Sequence, residues 1–413
     1  MRGKAMKRYV IVGAGFRCYT MFVRNLKAHF SDRVALTGVY DKNHARSRYL
    51  QSLVGPEMTV YGDFEEMLDA EKPDGVIICT VDSEHHDYII RTLDRGYDAI
   101  CEKPITNTYD RCLAIAQAQK RSGRQVAVTF NCRAMPQFIR MKELISSGAI
   151  GRVYAVNYEY CLDRSHGADY FKRWHRQMDY SQGMLLHKST HHFDIINWLL
   201  EDEPDAVTAL GNQVYYAKPE KSLGSRCSRC EQRQQCDSRE VQDGQVNGVS
   251  INQGMFWETE QEDGYIRDKC CFLPDADICD NLSVSVRYCR GTILSYTLNL
   301  FSMHEGYRLT LTGETGVLTL EDWTDVPAEA FTIRILRKDG TQELHPVSRE
   351  TGGHGGGDIR LIGRLFGDPQ PDPLGQYADS YAGFVSAMIG IAANESIRDG
   401  KTVSVQPYLK ALQ

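Results

Sequence analysis

The residues with the most legible chemistry stand in one turn, Gly13-Ala14-Gly15-Phe16-Arg17-Cys18, after the first β-branched run. The first glycine permits a tight turn. The second lets backbone N–H groups approach a pyrophosphate whose charge sits at a helix N-terminus. The third position of such a dinucleotide fingerprint is Cys18, small but not glycine. Asp41 follows the second apolar run, where a carboxylate can bind both ribose hydroxyls of NAD and repel a 2′-phosphate. Lys42 and Arg46 lie close by, so NADP is disfavoured rather than excluded. Taken singly, glycines after a strand are often only turn residues, and an aspartate there only a helix cap.

Three other groups carry chemistry. His187 and His191 stand four apart, so on a helix they share one face; they could hold a divalent metal with a third ligand, or act as hydrogen-bonding site residues. Segment 163–176 carries Arg164, His166, Tyr170, Lys172 and Trp174, a polar and aromatic set that suits sugar recognition or, equally, an exposed loop. Cys227-x-x-Cys230-x5-Cys236 suits a tetrahedral zinc, with Cys270 the preferred fourth ligand over Cys271. Such a closed site would be structural, pinning an insertion that lacks its own core; unpaired loop thiols are the alternative.

The elements that must position these residues fall into two patterns. Apolar runs RYVIVG (8–13), VALTGVYD (34–41), DGVIICT (74–80), DAICEKP (98–104) and QVAVTF (125–130) alternate with helical stretches at 16–30, 85–95 and 109–120. Fully apolar runs separated by helices predict a parallel sheet covered on both faces, a doubly wound α/β domain over residues 1–130. Ligands of such sheets sit at the carboxyl ends of strands, so Thr80 with His85, and Glu102 with Lys103, should line the nicotinamide side of the cleft.

From 131 to 413 the pattern predicts an α+β domain on a large, mostly antiparallel sheet. VYAVNYEYCL (153–162) alternates apolar and polar, and Arg290-Gly291 marks a hairpin between two strands. Helices are expected at 136–147, 184–200 and 379–398, the last docking back on the body, with a polar, cysteine-bearing insertion at about 217–280.

The ordered set Gly13-Ala14-Gly15, Asp41, Thr80 with His85, Glu102-Lys103-Pro104, and Phe130-Asn131-x-Arg133 with Pro136 resembles the glucose-fructose oxidoreductase / inositol dehydrogenase (Gfo/Idh/MocA) family. Ser147-Gly148-Ala149-Ile150-Gly151-Arg152-Val153 looks like that family's crossover into its second domain, and His354-Gly355-Gly356-Gly357-Asp358 like a glycine-rich loop of many members. The resemblance covers nearly the whole chain. It implies a Rossmann domain holding NAD(P), a second domain whose open sheet often mediates oligomers, and a substrate site between them. It also gives Lys103 the role of binding a substrate hydroxyl and helping proton transfer. An aspartate and a histidine four apart usually complete the site; the matching positions are His187 and His191, with Lys188 beside them, so histidine replaces the aspartate.

Oxidising an alcohol with NAD needs a base for the hydroxyl proton. His191 is the first choice, since histidine titrates near neutrality, with Lys103 positioning the hydroxyl or sharing the proton and His187 beside them. Expected substrate contacts are Arg133, His166, Tyr170, Trp174 and Lys188. The leading reading is hydride transfer between NAD and a secondary hydroxyl or ketone of a sugar, glycoside or inositol. Its rivals are an NAD-dependent glycosidase working by oxidation, elimination, water addition and reduction, and a non-catalytic NAD-binding sensor.

A chain of 413 residues with 42% hydrophobic and 25% charged residues is ordinary for two globular domains. Net charge of −6 with dispersed Lys and Arg argues against a nucleic-acid or anionic-membrane surface. No apolar run approaches the ~18 residues of a membrane span. MRGKAMKRYV lacks an apolar signal region, so a cytoplasmic location and reduced thiols for the 13 cysteines are expected. A dimer or tetramer is expected from the resemblance.

Overall fold

A computed structural model of the chain describes residues 6–222, 224–240, 245–246, 249–324 and 330–413. Six short strands form the first sheet: β1 (Lys7–Val12), β2 (Val34–Tyr40), β3 (Thr59–Val60), β4 (Gly75–Ile78), β5 (Asp98–Cys101) and β6 (Val126–Val128). Their order is β3-β2-β1-β4-β5-β6, every pair parallel. The order reverses between β1 and β4, which opens a crevice at the carboxyl ends of both strands. Val10, Ile11, Val76, Ile77 and Ile78 are completely buried, as a sheet covered on both faces requires. The expected helix at 16–30 begins as a π-helical turn, Cys18–Val23, before it continues as α-helix Arg24–His29.

The second sheet has nine strands, with β9 (Gln245–Val246) and β10 (Val249–Ser250) forming a separate hairpin. Its members are β7 (Val153–Asp163), β8 (Pro204–Asn212), β11 (Asn281–Tyr288), β12 (Ile293–Ser302), β13 (Gly306–Gly313), β14 (Val317–Trp323), β15 (Ala330–Leu336), β16 (Gln342–Ser348) and β17 (Val403–Ser404). The order is β16-β15-β14-β13-β7-β12-β11-β8-β17; only β7 with β12 is a parallel pair. Residues alternate strictly along β11, one face buried and one exposed, so the helices cover a single face.

One departure from expectation shapes the site. The helix expected over 184–200 is broken into Met184–His187 and Thr190–Leu200. The Ser189 amide closes back to the Met184 carbonyl, five residues away, and the Ser189 hydroxyl is tied to Tyr296. His187 and His191 therefore do not stand one turn apart on one helix. The helix Ser380–Asp399 lies against the Rossmann edge and this break together: Gly383 faces Val128 and Ile105, and Gly390 faces the Leu185 backbone.

The insertion is held to the first domain. The amides of His44 and Ala45, at the start of helix His44–Val54, donate to the Glu262 carboxylate (2.7 and 2.8 Å), and Asn43 Nδ2 donates to the Thr259 carbonyl (2.9 Å). A carboxylate there satisfies free N–H groups and complements the helix dipole.

Candidate active site

A cavity of about 680 Å³ runs from the glycine turn to the break before Thr190, within the ~300–1,000 Å³ typical of ligand clefts. Its lining includes Gly13, Gly15, Phe16, Arg17 and Asp41, with Thr80 and Glu102 next to the glycine turn, and also Asp82, Lys103, Trp174 and His187. Gly13 has φ +89°, and a Cβ there would lie 2.6 Å from the Cys79 carbonyl carbon and 2.7 Å from the Thr80 nitrogen. Nothing lies within 4 Å of a Cβ built on Gly15, so its backbone is open to the cleft. The Asp41 carboxylate accepts from the amides of Ala14 (2.7 Å) and Asn43 (2.8 Å), which fixes it beside the turn. An open backbone at Gly15, next to a fixed carboxylate at the end of β2, fits a dinucleotide: phosphates on the turn, a ribose on Asp41.

The cleft also holds an acid–base cluster in which Asp82 and His187 are buried and Lys103 is half-buried. Lys103 Nζ donates to the His187 carbonyl (3.0 Å), and His187 donates through Nδ1 to Asp82 Oδ2 (2.6 Å). Asp82 is 2% exposed. Burial raises its pKa to about 7, against the opposing charges of His85 and Lys103. Burial also lowers the Lys103 ammonium to about 8, although Asp82 and Glu102 support its charge. His85 bridges the two strand-end loops, with Nδ1 to the Pro104 carbonyl (2.8 Å) and Nε2 to the Thr80 carbonyl (3.2 Å). Arg17 pairs with Glu102 (3.0 Å) and with Asp358 (3.1 Å), tying the glycine turn to β5 and to the loop 354–358. Asp358 also accepts from Asn131 (2.5 Å), and His354 and Arg17 hold its carboxyl below the usual range despite its burial.

The remaining expected residues fall in three places. Trp174 lines the cleft, stacked on His175 (ring centroids 3.8 Å) and edge-on to His187 (5.5 Å). Just beyond the cavity lining, His166 bonds the Glu305 carboxylate through Nδ1 (3.0 Å) and Tyr170 through Nε2 (3.2 Å), while the Tyr170 ring packs 5.7 Å from His187. Burial disfavours the Lys188 ammonium, but Tyr170, Tyr160 and Glu305 outweigh it and raise its pKa; Nζ lies 5.5 Å from the Tyr160 ring. His191 is 5% exposed, its Nδ1 has no hydrogen-bond partner, and its ring lies 6.0 Å from both Phe130 and His354. Burial, then the charge of Lys103, pushes its pKa well below 6.5.

Arg133 is not brought to the cleft. Its fork is committed to Asp194 (2.8 and 2.6 Å) and its third nitrogen to the Gly375 carbonyl (3.0 Å), beside a separate cavity. This bidentate pair joins the segment after β6 to helix Thr190–Leu200, a structural duty that engages all three guanidinium nitrogens.

The metal expectations are not supported. Among the described residues no group of three or more His, Cys, Asp or Glu side chains is arranged to hold a metal ion. The break at Lys188-Ser189 separates His187 from His191, and the Asp82 carboxylate occupies His187 Nδ1. Cys227, Cys230, Cys236 and Cys270 line one small cavity of about 20 Å³ with Cys271, but the expected four-thiolate zinc cage is not formed there. Ser222 donates its hydroxyl to Cys270 (3.8 Å), and Cys271 carries a thiol pushed up by its hydrogen bond to Cys270 and by burial.

Several cleft residues were not singled out from the sequence. Asp82 sits two residues after Thr80, in a loop already expected to face the cleft, but its partner His187 is 105 residues away. His175, Phe256, Asp263 and Arg267 line the cleft from the second domain; no sequence spacing links them to it.

Comparison with known proteins matches both parts of the chain to one family. The model of the Gfo/Idh/MocA "Oxidoreductase family, NAD-binding Rossmann fold" matches residues 7–130, and that of its "C-terminal alpha/beta domain" matches 142–405. The protein named "Putative oxidoreductase YteT" of Bacillus subtilis (strain 168) is 32% identical over 424 residues, covering 97% of this chain and 98% of that one. Inositol 2-dehydrogenase 2 of Saccharopolyspora erythraea is 28% identical over 156 residues, 36% of this chain and 42% of its own. An oxidoreductase from Agrobacterium radiobacter, solved with NAD+, L-tartaric acid and magnesium, shares the fold at TM-score 0.68 and 15% identity, covering 98% of this chain and 99% of that one. The matched turn, strand ends and second domain are those that build the cleft, and the chain belongs to the Gfo/Idh/MocA oxidoreductase family.

Proposed function

We propose that the protein is an NAD-dependent dehydrogenase that interconverts a secondary hydroxyl and a ketone on a sugar or polyol, with Lys103 as the proton-transfer group. The observation that carries this is the placement of Lys103, half-buried in the same cleft as the Gly13–Gly15 turn and Asp41. A nicotinamide bound in the cleft would supply the hydride acceptor. Lys103 Nζ, neutral in part near pH 8, accepts the proton of the carbinol oxygen. Asp82 then stabilises the ammonium that forms, and His187 holds Asp82 in place through its 2.6 Å bond. The role first given to His191 passes to Lys103, because His191 does not line the cleft. Trp174 offers an aromatic face to the apolar side of a sugar ring. The named relatives include inositol 2-dehydrogenases, which supports a cyclic polyol or sugar as the substrate class.

Self-association belongs to the same reading. The open face of the nine-stranded sheet carries Leu210, Ile293 and Leu344, all more than 40% exposed, and light scattering is expected to give a mass above one chain.

The test is to incubate the purified protein with NAD and a panel of free sugars, inositols and aryl glycosides, following NADH absorbance and glycoside cleavage together. NADH growth that disappears in Lys103→Ala supports the proposal. Glycoside cleavage without NADH accumulation would replace it with the oxidation–elimination glycosidase.

A further inference from the structure

The insertion does more than pack on the first domain: Phe256, Asp263 and Arg267 also line the cleft, opposite the glycine turn and Asp41. We propose that the insertion supplies the outer half of the dinucleotide site, with Arg267 taking the diphosphate and Asp263 standing with Asp41 at the adenosine ribose to turn away a 2′-phosphate. This rests on the dinucleotide reading of the cleft and adds to it residues that no Rossmann fingerprint contains.

The placement of Arg267 is the first support. It is 5% exposed, and its guanidinium lies 4.5 Å from the Phe256 ring and 5.9 Å from the ring of Phe16, the residue after Gly15. It therefore faces the turn whose open amides suit a phosphate. Its Nε has no hydrogen-bond partner; the nearest carboxylate is Glu240 at 3.6 Å. Lys172 and Arg173 share that carboxylate (3.6 and 3.5 Å) and both also pair with Asp169. Among the described residues Arg267 thus has no carboxylate within hydrogen-bond distance of its buried Nε. A buried donor left without a partner is costly. An anion arriving at the glycine turn relieves that cost, and a guanidinium fork matches phosphate oxygens.

At the adenosine end the charge reverses. Arg46 follows Asp41 by five residues, where a cation could welcome a 2′-phosphate. Here it is neutralised from both sides: by Asp263 (2.9 Å) and by Asp41 (3.5 Å). Its Nε donates to the Met255 carbonyl (3.2 Å), so the insertion holds it by three groups, counting the Phe256 ring at 5.2 Å. One cation between two carboxylates leaves a negative site. It suits ribose hydroxyls and repels phosphate. Charge along the cleft is therefore negative at the ribose and positive at the diphosphate, and in each place half of the pattern comes from the insertion.

The test is equilibrium titration of the full-length protein with NAD, NADP, ADP-ribose and adenosine. Arg267→Gln is expected to weaken NAD and ADP-ribose by about tenfold or more and adenosine by less than about twofold, the size of one lost charge-assisted hydrogen bond. Arg267→Lys keeps the charge without the fork and covers the case in which the glutamine variant does not fold; it should lose about threefold or more on ADP-ribose and none on adenosine. Asp263→Asn should tighten NADP by about tenfold while NAD stays within about threefold. Equal weakening of all four ligands in the Arg267 variants, or an unchanged NAD-to-NADP ratio in Asp263→Asn, overturns the proposal. A wild-type protein that binds none of the four overturns the dinucleotide reading beneath it.

Discussion

The pH dependence of alcohol oxidation separates the two bases that the site could use. Burial lowers Lys103 to about 8, so its amine is neutral in about one molecule in eleven at pH 7 and in about ten in eleven at pH 9. If Lys103 accepts the proton, kcat/KM for oxidation rises about tenfold over those two units and then levels. An ordinary lysine would still be about 96% protonated at pH 9 and would give no plateau. His187 and His191 are pushed well below 6.5 by burial and by the charge of Lys103, so a histidine base would be neutral throughout and the profile flat from pH 7 to 9. The assay is initial NADH formation with saturating NAD at constant ionic strength, from pH 6 to 10. Asp82→Asn provides the control. Among the neighbours of Lys103, Asp82 does most to raise its pKa, so removing that charge makes the amine lose its proton more easily and moves the limb to lower pH. A flat profile between pH 7 and 9, or a limb that stays in place in Asp82→Asn, would refute Lys103 as the base.

Three substitutions test the scaffold around the cleft. Arg133→Met leaves Asp194, 1% exposed, without its bidentate partner and should cost about 3–5 kcal/mol in urea unfolding, while Arg133→Met/Asp194→Leu recovers most of it and KM for the polyol stays unchanged. A raised KM with unchanged stability would restore Arg133 as a substrate residue. Gly13→Ala forces a side chain into left-handed backbone and to 2.6 Å from Cys79; it should cost about 1–3 kcal/mol and abolish NAD binding by titration. Gly390→Ala would bring a methyl to 2.7 Å from the Leu185 carbonyl, so it should displace the segment that carries His187, lowering kcat more than it weakens NAD binding.

What was legible in the sequence follows from how far apart the interacting groups lie. The parallel sheet and the glycine turn are local: a run such as VIIC can be buried on both faces only if helices cover it, and Gly13 is required by a contact at the end of a neighbouring strand. The alternation in β7 and β11 is equally local and names the antiparallel sheet. The site is not local. The bond between Lys103 and the His187 carbonyl spans 84 residues, and that between His187 and Asp82 spans 105. The helix periodicity of 184–200 is real on both sides of the break, but the break depends on Ser189 meeting Tyr296, 107 residues on, which no window of sequence contains. Arg133 was placed by motif order, yet an arginine's duty is decided by which carboxylate reaches it first, and Asp194 does so from another helix. The insertion shows the same limit from the other side. Its polar composition reads as an irregular excursion, because carboxylates that cap a distant helix and cations that face a distant turn look, one by one, like solvated loop residues. Only the fold reveals that Glu262, Asp263 and Arg267, within six residues of one another, reach the first domain at a helix start, at Arg46 beside Asp41, and at Phe16 of the glycine turn. A segment that touches all three has reason to remain polar, since every one of those contacts is electrostatic and each would be lost to an apolar residue of the same size.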